Sequence, residues 1–240
     1  MVTVKLFILA HAGGNVWNYV TLFSNIKGIE IIPIELSGDF TKLHEPTLET
    51  LEDYVEDVKK KILHNCDGES FMLFGHSFGA YIAFELSSVF DTSQLILVFL
   101  SGCSPLNARL NINDFDNVLL KESNDVELNK IIQLINTNIK RKIYLVNNYR
   151  LKKYHETPKV VNSHSHICVL CGTRDPFAIM NSEWKLYFDA KLFKLEYIQG
   201  GHFYWKENEE NRKKLLDIVR REIEFSQQGN VMNENRINKD

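Results

Sequence analysis

Long apolar runs are missing from this 240-residue sequence. The longest clean run spans residues 95–100, far short of the roughly 18 residues that a membrane-spanning helix needs. An excess of positive charge is missing too, because 28 Lys and Arg residues face 31 Asp and Glu residues, for a net charge of -3. Domains that bind nucleic acid are usually strongly basic. We therefore expect neither a membrane nor a nucleic acid among the partners of this chain.

Cysteine is scarce, with four residues, and nothing in their spacing requires disulfides, so a reducing, cytoplasmic location is expected. Cys168 and Cys171 have CxxC spacing, but they lie in a run, residues 166–171, that is typical of a β-strand. Side chains three residues apart on a strand point to opposite faces, so we interpret both as core thiols and predict no metal site. A cleaved leader is also disfavoured, since the apolar stretch at 4–10 is short and the leader carries only Lys5.

Strand and helix signals alternate along most of the chain. The predicted strands cover residues 4–10, 29–36, 70–75, 94–101, 166–171 and 192–198. Helices are predicted at 15–25, 48–65, 78–90, 179–189 and 207–225. This alternation indicates an α/β fold, with a mostly parallel sheet and helices on both of its faces. In such folds the functional sites lie at the carboxyl ends of the strands. The length suits one large domain, residues 1–225, and the Asn-, Gln- and Gly-rich tail at 226–240 is predicted to be disordered.

Residues 103–158 interrupt this alternation and contain no clear strand. Apolar residues recur there at helical spacing, on one side of an amphipathic segment: Leu128, Ile131, Ile132, Ile135 and Ile139. A second helix is predicted over residues 142–153. We interpret the whole segment as a helical lid inserted between two strands of the sheet.

The strongest local motif is Gly75-His76-Ser77-Phe78-Gly79, which matches GxSxG between a hydrophobic strand and a helix. In that setting a sharp strand-to-helix turn exposes the serine hydroxyl, and the glycines let neighbouring backbone pass close by. The helix behind Ser77 directs its N–H groups at the same point. The motif therefore predicts Ser77 as a nucleophile, and the alternative is a serine that only caps the helix.

A serine nucleophile needs a base and an acid that orients the base, in the chain order Ser, Asp or Glu, His. His202 lies in a Gly-Gly-His loop after the last predicted strand, and Asp175 follows the strand before it. We expect these two residues to complete a catalytic triad with Ser77. His11 is the competing base, and the alternative for Asp175 is a turn-forming role before the following proline.

The oxyanion that forms during attack on a carbonyl needs two N–H donors. One is expected from the amide of Phe78, directly after the nucleophile, and the other from the loop His11-Ala12-Gly13-Gly14 after the first strand. By the position of this loop relative to the nucleophile, we assign the second donor to the Ala12 amide. In the alternative, the two glycines only make a tight turn.

Taken together, these motifs resemble the type II thioesterases, the stand-alone editing enzymes of nonribosomal peptide and polyketide synthesis, which have the α/β-hydrolase fold. The similarity extends from the first strand to about Phe225. It is carried by the stretches Leu9-Ala10-His11-Ala12-Gly13-Gly14, Phe74-Gly75-His76-Ser77-Phe78-Gly79-Ala80, Ala83-Phe84-Glu85-Leu86, Ser101-Gly102-Cys103, Gly172-Thr173-Arg174-Asp175-Pro176 and Gly200-Gly201-His202-Phe203.

The resemblance implies hydrolysis of acyl thioesters on the phosphopantetheine arm of acyl or peptidyl carrier proteins, which are the expected partners. Such an enzyme removes wrong or stalled acyl groups, or releases a finished intermediate, through an acyl ester on its serine. The resemblance implies no cofactor of the enzyme's own. Nothing in the sequence requires more than a monomer.

Some positions depart from the family pattern. Ala10 replaces the usual proline, and the stretch Glu35-Leu36-Ser37-Gly38-Asp39 lacks the usual Pro-Gly and basic residue. The lid is shortened and has Lys140-Arg141-Lys142 where relatives show Arg-x-Asp.

Between residues 128 and 155 there is no Asp or Glu, but there are seven Lys and Arg residues. Because carrier domains are generally acidic, we hypothesise that Lys140, Arg141 and Lys142 help to dock the carrier. The alternative is a solvated helix face.

Other functions stay open at this point. A general carboxylesterase or lipase uses the same triad. A catalytically inactive hydrolase fold can serve as a binding module, although the intact set of Ser77, Asp175 and His202 disfavours it. A malonyl-type acyltransferase also carries GHSxG, but it is disfavoured by the HAGG loop and by the triad Asp.

Overall fold

The computed structural model describes residues 3–91, 93–108, 119–121, 123–154, 165–189 and 192–237. One six-stranded parallel sheet has the order β2-β1-β3-β4-β5-β6 and consists of β1 (Val4–Leu9), β2 (Ile29–Ile34), β3 (Phe71–His76), β4 (Leu95–Ser101), β5 (His166–Gly172) and β6 (Phe193–Ile198). Because every pairing is parallel, the carboxyl ends of the strands lie along one edge. The predicted parallel sheet is therefore confirmed.

The helices of the described residues lie between and after these strands. They are α1 (Trp17–Phe23), α2 (Leu51–Cys66), α3 (Phe78–Leu86), α4 (Val126–Tyr154), α5 (Tyr204–Glu207) and α6 (Glu209–Ile237). Two 3-10 helices span Phe40–Lys42 and Asn181–Leu186. Within the described ranges, no helix combines the length and the apolar character needed to cross a membrane.

The central strands are continuous apolar runs because helices cover both faces of the sheet. Every residue of β3, β4 and β5 is buried. Alternate side chains of these strands enter two separate hydrophobic clusters. Cys168 belongs to one cluster and Cys171 to the other, which confirms that the CxxC pair points to opposite faces of the sheet.

Helix α2 shows how the local sequence sets the start and the inner face of an element. Thr50 Oγ1 accepts a hydrogen bond from the Asp53 amide at 3.1 Å, and the Asp53 carboxylate accepts one from the Thr50 amide at 3.0 Å. This capping box satisfies two amides that have no partner inside the helix. The buried residues recur at helical spacing and place one face on the core: Leu51, Tyr54, Val58 and Ile62.

The lid segment differs from its prediction in one respect. The two helices expected around 128–139 and 142–153 form one continuous helix, α4, between β4 and β5. The polar residues at the expected break, such as Lys140 and Arg141, are good helix formers and continue the helix on its exposed side. The lid limits near 103 and 158 stay predictions, because residues 109–118 and 155–164 lie outside the described residues.

The end of the chain also differs from its prediction. The closing helix was expected to stop near Phe225, with a disordered tail at 226–240, but α6 continues to Ile237. Asn lowers helix propensity only modestly, while Gln, Met and Glu are good helix formers, so the composition of this stretch permits the extension. The domain limit at residue 225 stays a prediction.

A buried carboxylate joins the last helix to the sheet. The Glu222 side chain on α6 is fully buried and accepts hydrogen bonds from His166 Nε2 at 2.6 Å and Lys194 Nζ at 2.8 Å. Burial by itself raises the pKa of this carboxyl, but hydrogen bonds from His166, Lys194 and Arg221 outweigh burial and hold the pKa at about 2. His166 begins β5, at the edge of the sheet opposite the strand ends, so this cluster stabilises the fold away from the site.

Candidate active site

Ser77 lies in the turn between β3 and α3, at the carboxyl edge of the sheet. Its backbone has φ 55° and ψ -113°, a conformation that residues other than glycine rarely adopt. The Ser77 amide donates to the Ser101 carbonyl at the end of β4, 2.8 Å away, and this bond holds the turn against the sheet. Such a strained strand-to-helix turn is the nucleophile elbow that the motif predicts.

The two glycines of the GxSxG motif are needed because backbone passes directly over them. A Cβ on Gly75 would overlap the Gly79 carbonyl and lie 2.7 Å from Ala80 Cα. A Cβ on Gly79 would overlap the carbonyl of Leu9 in β1. A larger residue at either position would force α3 away from the sheet. The two glycines are therefore required by the close packing of the backbone at the elbow.

His202 and Asp175 meet because β5 and β6 are neighbours and the loops that follow them lie side by side. His202 Nδ1 is 2.9 Å from Asp175 Oδ2, and the other carboxylate oxygen accepts the Phe177 amide at 2.9 Å. The Asp175 side chain is fully buried, and 8% of the His202 side chain is exposed. A carboxylate at Nδ1 favours the tautomer that carries its proton there, which leaves Nε2 as the basic nitrogen.

Ser77 and His202 line one cleft of about 260 Å³. Its wall on the lid side comes from α4, through Ile135, Ile139 and Ile143. Among the described residues the Ser77 hydroxyl has no hydrogen-bond partner, and catalytic hydrogen bonds are often long until substrate binds. The structure therefore brings the predicted nucleophile and base to the same cleft, with the predicted acid buried against the base, and their catalytic roles stay a prediction.

A second, narrow cavity of about 30 Å³ extends from Ser77 between α3 and α4. Its lining includes Tyr81 from α3 together with Ile143 and Val146 from α4. The Tyr81 hydroxyl donates to the Ser104 carbonyl at 3.1 Å, so the polar end of this buried side chain is satisfied elsewhere. The cavity is small, and its lining is mostly apolar because the Tyr81 hydroxyl is bonded elsewhere.

The loop after β1 contains three consecutive amides near the cleft, and two of them are already engaged. The Gly13 amide donates to Asp39 Oδ1 at 2.7 Å, and the Gly14 amide donates to a carbonyl of the same turn at 2.9 Å. Within the described residues, the amide of Ala12, which lines both cavities, has no such partner. Phe78 begins α3, where the first amides lack partners inside the helix. The amides of Ala12 and Phe78, which are expected to bind an oxyanion, are therefore both available for that role.

His76 lies next to the nucleophile in sequence but is fully buried behind it. Its Nδ1 is hydrogen-bonded to Ser101 Oγ at 2.9 Å, and Ser101 Oγ is in turn 2.7 Å from the Tyr204 hydroxyl. The His76 ring lies 4.7 Å from the His202 ring, centroid to centroid. His76 therefore supports the base by packing against it rather than facing the cleft.

His11, the competing base, lines the same cleft as Ser77. Its Nδ1 is hydrogen-bonded to the Tyr19 hydroxyl at 2.8 Å. Burial, and then the nearby positive charges of His202 and two lysines, lowers the pKa of His11 to about 3. A base this weak has little tendency to accept a proton at neutral pH, so His202 suits the role better.

The predicted docking residues do not share one surface. Lys140 and Arg141 are exposed on α4, but the Lys142 side chain is fully buried, with Nζ 2.5 Å from Asp39 Oδ2. Arg150, another member of the basic segment, is buried as well. The docking prediction is therefore wrong for Lys142, because this turn of α4 packs onto the core, and it stays a prediction for Lys140 and Arg141.

Asp39 contacts the loop after β1, through the Gly13 amide, and was not among the predicted site residues. Burial raises the pKa of Asp39 and lowers that of Lys142, and the opposite charge of each partner counteracts the change. A signal was present, since both residues lie in stretches that depart from the family pattern. The loop lacks a basic residue there, and the lid carries a lysine where relatives show an acid. No cluster of His, Cys, Asp or Glu in the described residues could hold a metal ion.

The sheet order, the elbow after β3, the acid after β5 and the imidazole after β6 define the α/β-hydrolase fold. A family model described as the thioesterase domain matches residues 4–223. The chain therefore belongs to the thioesterase domain family, as the sequence motifs predict.

Individual relatives are distant in sequence but similar over most of the chain. Thioesterase PikA5 of Streptomyces venezuelae is 23% identical over 219 residues, which cover 84% of this chain and 75% of that protein. The type II thioesterase BorB, from the borrelidin biosynthetic cluster, is 23% identical with a TM-score of 0.70, over 90% of this chain and 91% of BorB. ClbQ, from the colibactin NRPS/PKS pathway, is 17% identical with a TM-score of 0.72, over 94% and 98%. These structural similarities confirm the predicted fold.

Proposed function

We propose that this chain hydrolyses acyl thioesters carried on the phosphopantetheine arm of acyl or peptidyl carrier proteins, in the editing or release of intermediates. One observation carries the proposal: Ala12, Ser77 and His202, the last paired with Asp175, line one cleft, and Phe78 joins Ala12 and Ser77 around a narrow side cavity. Membership of the thioesterase family supports a thioester substrate. The biosynthetic pathways of BorB and ClbQ support a carrier-bound one.

In this mechanism Ser77 Oγ attacks the thioester carbonyl while His202 Nε2 takes the hydroxyl proton. The Ala12 and Phe78 amides bind the oxyanion of the tetrahedral intermediate, and Asp175 stabilises the imidazolium. Collapse of the intermediate breaks the carbon–sulfur bond, and His202 returns the proton to the leaving thiolate. A water molecule, deprotonated by His202, then attacks the acyl ester and releases a carboxylic acid and free Ser77.

The two cavities suit the two ends of such a substrate. The larger cleft opens outward from Ser77 and is lined by apolar lid residues, so it takes the pantetheine arm. The narrow cavity beyond Ser77, at about 30 Å³, has room for about two water molecules. We therefore propose that the acyl group is short, of the size of acetyl or propionyl.

The reaction consumes only water, so the proposed enzyme needs no cofactor of its own. The four cysteines are all buried and unpaired, in keeping with the proposed reducing, cytoplasmic location. The catalytic groups all come from one chain, so a monomer suffices. The carrier domain is the partner, because it bears the arm that delivers the thioester.

Lys140 and Arg141 are the proposed docking residues, since both are exposed on the lid helix and carrier domains are generally acidic. In Lys140→Glu/Arg141→Glu, we expect kcat/KM for a carrier-linked thioester to fall about tenfold at low salt and to recover at high salt. Lys213→Glu/Lys214→Glu makes the same charge change at exposed positions of α6 and serves as the control. Equal kinetics for both variants would refute docking at this surface.

The substrate class is tested by comparing an acetyl thioester on a carrier domain with the matched oxygen ester. We expect kcat/KM to favour the carrier thioester by at least roughly tenfold, and Ser77→Ala to abolish both reactions. Equal or faster cleavage of the oxygen ester would support a general carboxylesterase instead. No turnover of either substrate by the wild type, together with no labelling by a fluorophosphonate, would indicate an inactive binding module.

A further inference from the structure

A lysine on the lid helix is buried directly above the elbow. The Lys142 side chain is fully buried, and its Nζ lies 5.3 Å from the centre of the Tyr54 ring and 5.5 Å from that of Phe78. Only one oppositely charged group contacts it in the described part of the chain, Asp39 at 2.5 Å. A buried ammonium in such apolar surroundings is tolerated only when paired, so the two residues hold each other in place.

Asp39 uses its second carboxylate oxygen for a different partner. Oδ1 accepts the Gly13 amide at 2.7 Å, while Oδ2 faces Lys142. Gly13 directly follows Ala12, whose own amide is the proposed oxyanion donor. The backbone between the two amides has only the φ and ψ of Ala12 as soft rotations, so fixing the Gly13 amide restricts the direction of the Ala12 amide.

Two further residues of the same turn of α4 contact these loops. Asn138 Nδ2 donates to the Gly38 carbonyl at 2.9 Å and to the Leu43 carbonyl at 3.1 Å. Ile139 packs so closely on Gly13 that a Cβ there would lie 2.6 Å from Ile139 Cγ1. The lid helix, the loop with Asp39 and the loop with Ala12 therefore form one connected unit beside Ser77.

We propose that Asp39 and Lys142 are a positioning pair: the Asp39 carboxylate holds the Gly13 amide and so aims the Ala12 amide at the developing oxyanion, and Lys142 supplies the charge that allows this carboxylate to be buried there. This inference rests on the oxyanion role assigned to Ala12 in the proposed function. Neither side chain touches the substrate, and both act through the backbone of the loop after β1. The pair makes the geometry of the oxyanion site depend on the lid helix being seated on the core.

The test compares two double variants that both remove the buried charges. Asp39→Asn/Lys142→Met keeps a side-chain oxygen for the Gly13 amide, whereas Asp39→Leu/Lys142→Met has nearly the same shape and lacks that oxygen. Loss of a complete oxyanion donor costs about 10²–10³ in kcat, so a misdirected donor should cost roughly 10–100-fold. We expect the leucine variant to lose this much kcat and the asparagine variant to recover at least about tenfold of the loss, with KM changed less than about threefold in both.

A second readout separates positioning from mere stability. A trifluoromethyl ketone analogue of the substrate forms a tetrahedral adduct with an oxyanion, whereas a thioether analogue imitates only the bound ground state. We expect the leucine variant to bind the ketone roughly 10–100-fold more weakly than the asparagine variant and the thioether equally well. All values are taken per active site, counted by fluorophosphonate labelling of Ser77.

Equal kcat and equal ketone affinity for the two double variants would overturn the inference, even if both had lower melting temperatures. If the leucine variant does not fold, Asp39→Ala/Lys142→Met replaces it. If that variant fails as well, the asparagine variant decides alone, because a loss of kcat beyond about 100-fold despite the retained acceptor would refute positioning by this bond. A wild type that neither hydrolyses thioesters nor labels at Ser77 would instead refute the proposed function.

Discussion

The hydrogen bonds of Asp175 make Asp175→Asn an informative substitution. In the structure Oδ2 faces His202 Nδ1 and Oδ1 accepts the Phe177 amide, each at 2.9 Å, and the side chain is fully buried. A buried N–H is rarely left unpaired, so the carboxamide oxygen of the variant should stay on the Phe177 amide. The NH2 group then faces His202 Nδ1, and the imidazole must carry its proton on Nε2. In that tautomer the ring cannot take a proton from Ser77.

The size of the effect follows from the two orientations of the new amide. The reversed orientation restores the productive tautomer but leaves the buried Phe177 amide without an acceptor, at a cost of about 1–3 kcal/mol, or roughly 5–150-fold in population. Even then the negative charge beside the developing imidazolium is gone. Substitutions of this kind in serine hydrolase triads lower kcat by about 10⁴. We expect kcat/KM to fall by roughly 10³–10⁴.

The assay follows release of the free thiol from an acetyl-pantetheine thioester at neutral pH. Asp91→Asn is the matched control, because Asp91 is exposed and lies before β4, on the edge of the sheet away from Ser77. The control should keep wild-type kcat/KM. A loss of less than about fivefold in Asp175→Asn would refute the argument, since the unpaired Phe177 amide of the reversed orientation accounts for at least that much.

Three further predictions follow from other contacts. Glu222→Gln should lower the free energy of unfolding by roughly 2 kcal/mol at pH 7, because charge-assisted hydrogen bonds from residues such as His166 are lost. Since the folded pKa of Glu222 is about 2, below its ordinary value of 4.5, the stabilisation is complete above pH 4.5 and should disappear as the pH falls towards 2. Val146→Ala should enlarge the narrow cavity and raise kcat/KM for butyryl relative to acetyl thioesters about tenfold. Gly102→Ala should lower kcat about 10²-fold, because φ is +61° and the new Cβ would lie 2.5 Å from His76 Cε1 and 3.1 Å from His202 Cε1, which would displace both rings.

Each of these predictions has a result that contradicts it. For Glu222→Gln, urea denaturation curves that coincide with those of the wild type at pH 7 would show that the buried carboxylate contributes nothing. For Val146→Ala, an unchanged ratio of butyryl to acetyl turnover would place the acyl group outside the narrow cavity. For Gly102→Ala, wild-type kcat would mean that the His76 and His202 rings are not confined at that point.

The sequence predicted the sheet and the position of the site because both depend on local signals. Alternating strands and helices require a parallel sheet, and a parallel sheet places the residues after its strands at one edge. Ser77, Asp175 and His202 each follow such a strand, so their proximity in the structure was expected. The glycines of the elbow were predictable for the same reason, since their packing is set by neighbours close in sequence or by the adjacent strand.

The contacts of the lid could not be predicted in this way. Lys142 and Asp39 are far apart in sequence, and no periodicity indicates that a lysine among other basic residues will turn inward. The charged run at residues 140–142 is compatible either with a break between two helices or with the exposed side of one continuous helix. The sequence pattern alone therefore predicts two helices where the structure has α4. Both questions are decided by packing against the core, which depends on residues distant in the chain.

The central claim is that Ser77 carries the acyl group during turnover, and the most direct measurement is rapid-quench mass spectrometry. The enzyme is mixed with an acetyl-pantetheine thioester, quenched in acid within the first turnovers and digested with a protease. The account predicts that the peptide containing Ser77 gains the mass of one acetyl group, with the label on the serine itself, and that Ser77→Ala gains none. An acetyl group found on a different residue, or rapid hydrolysis by Ser77→Ala, would contradict it.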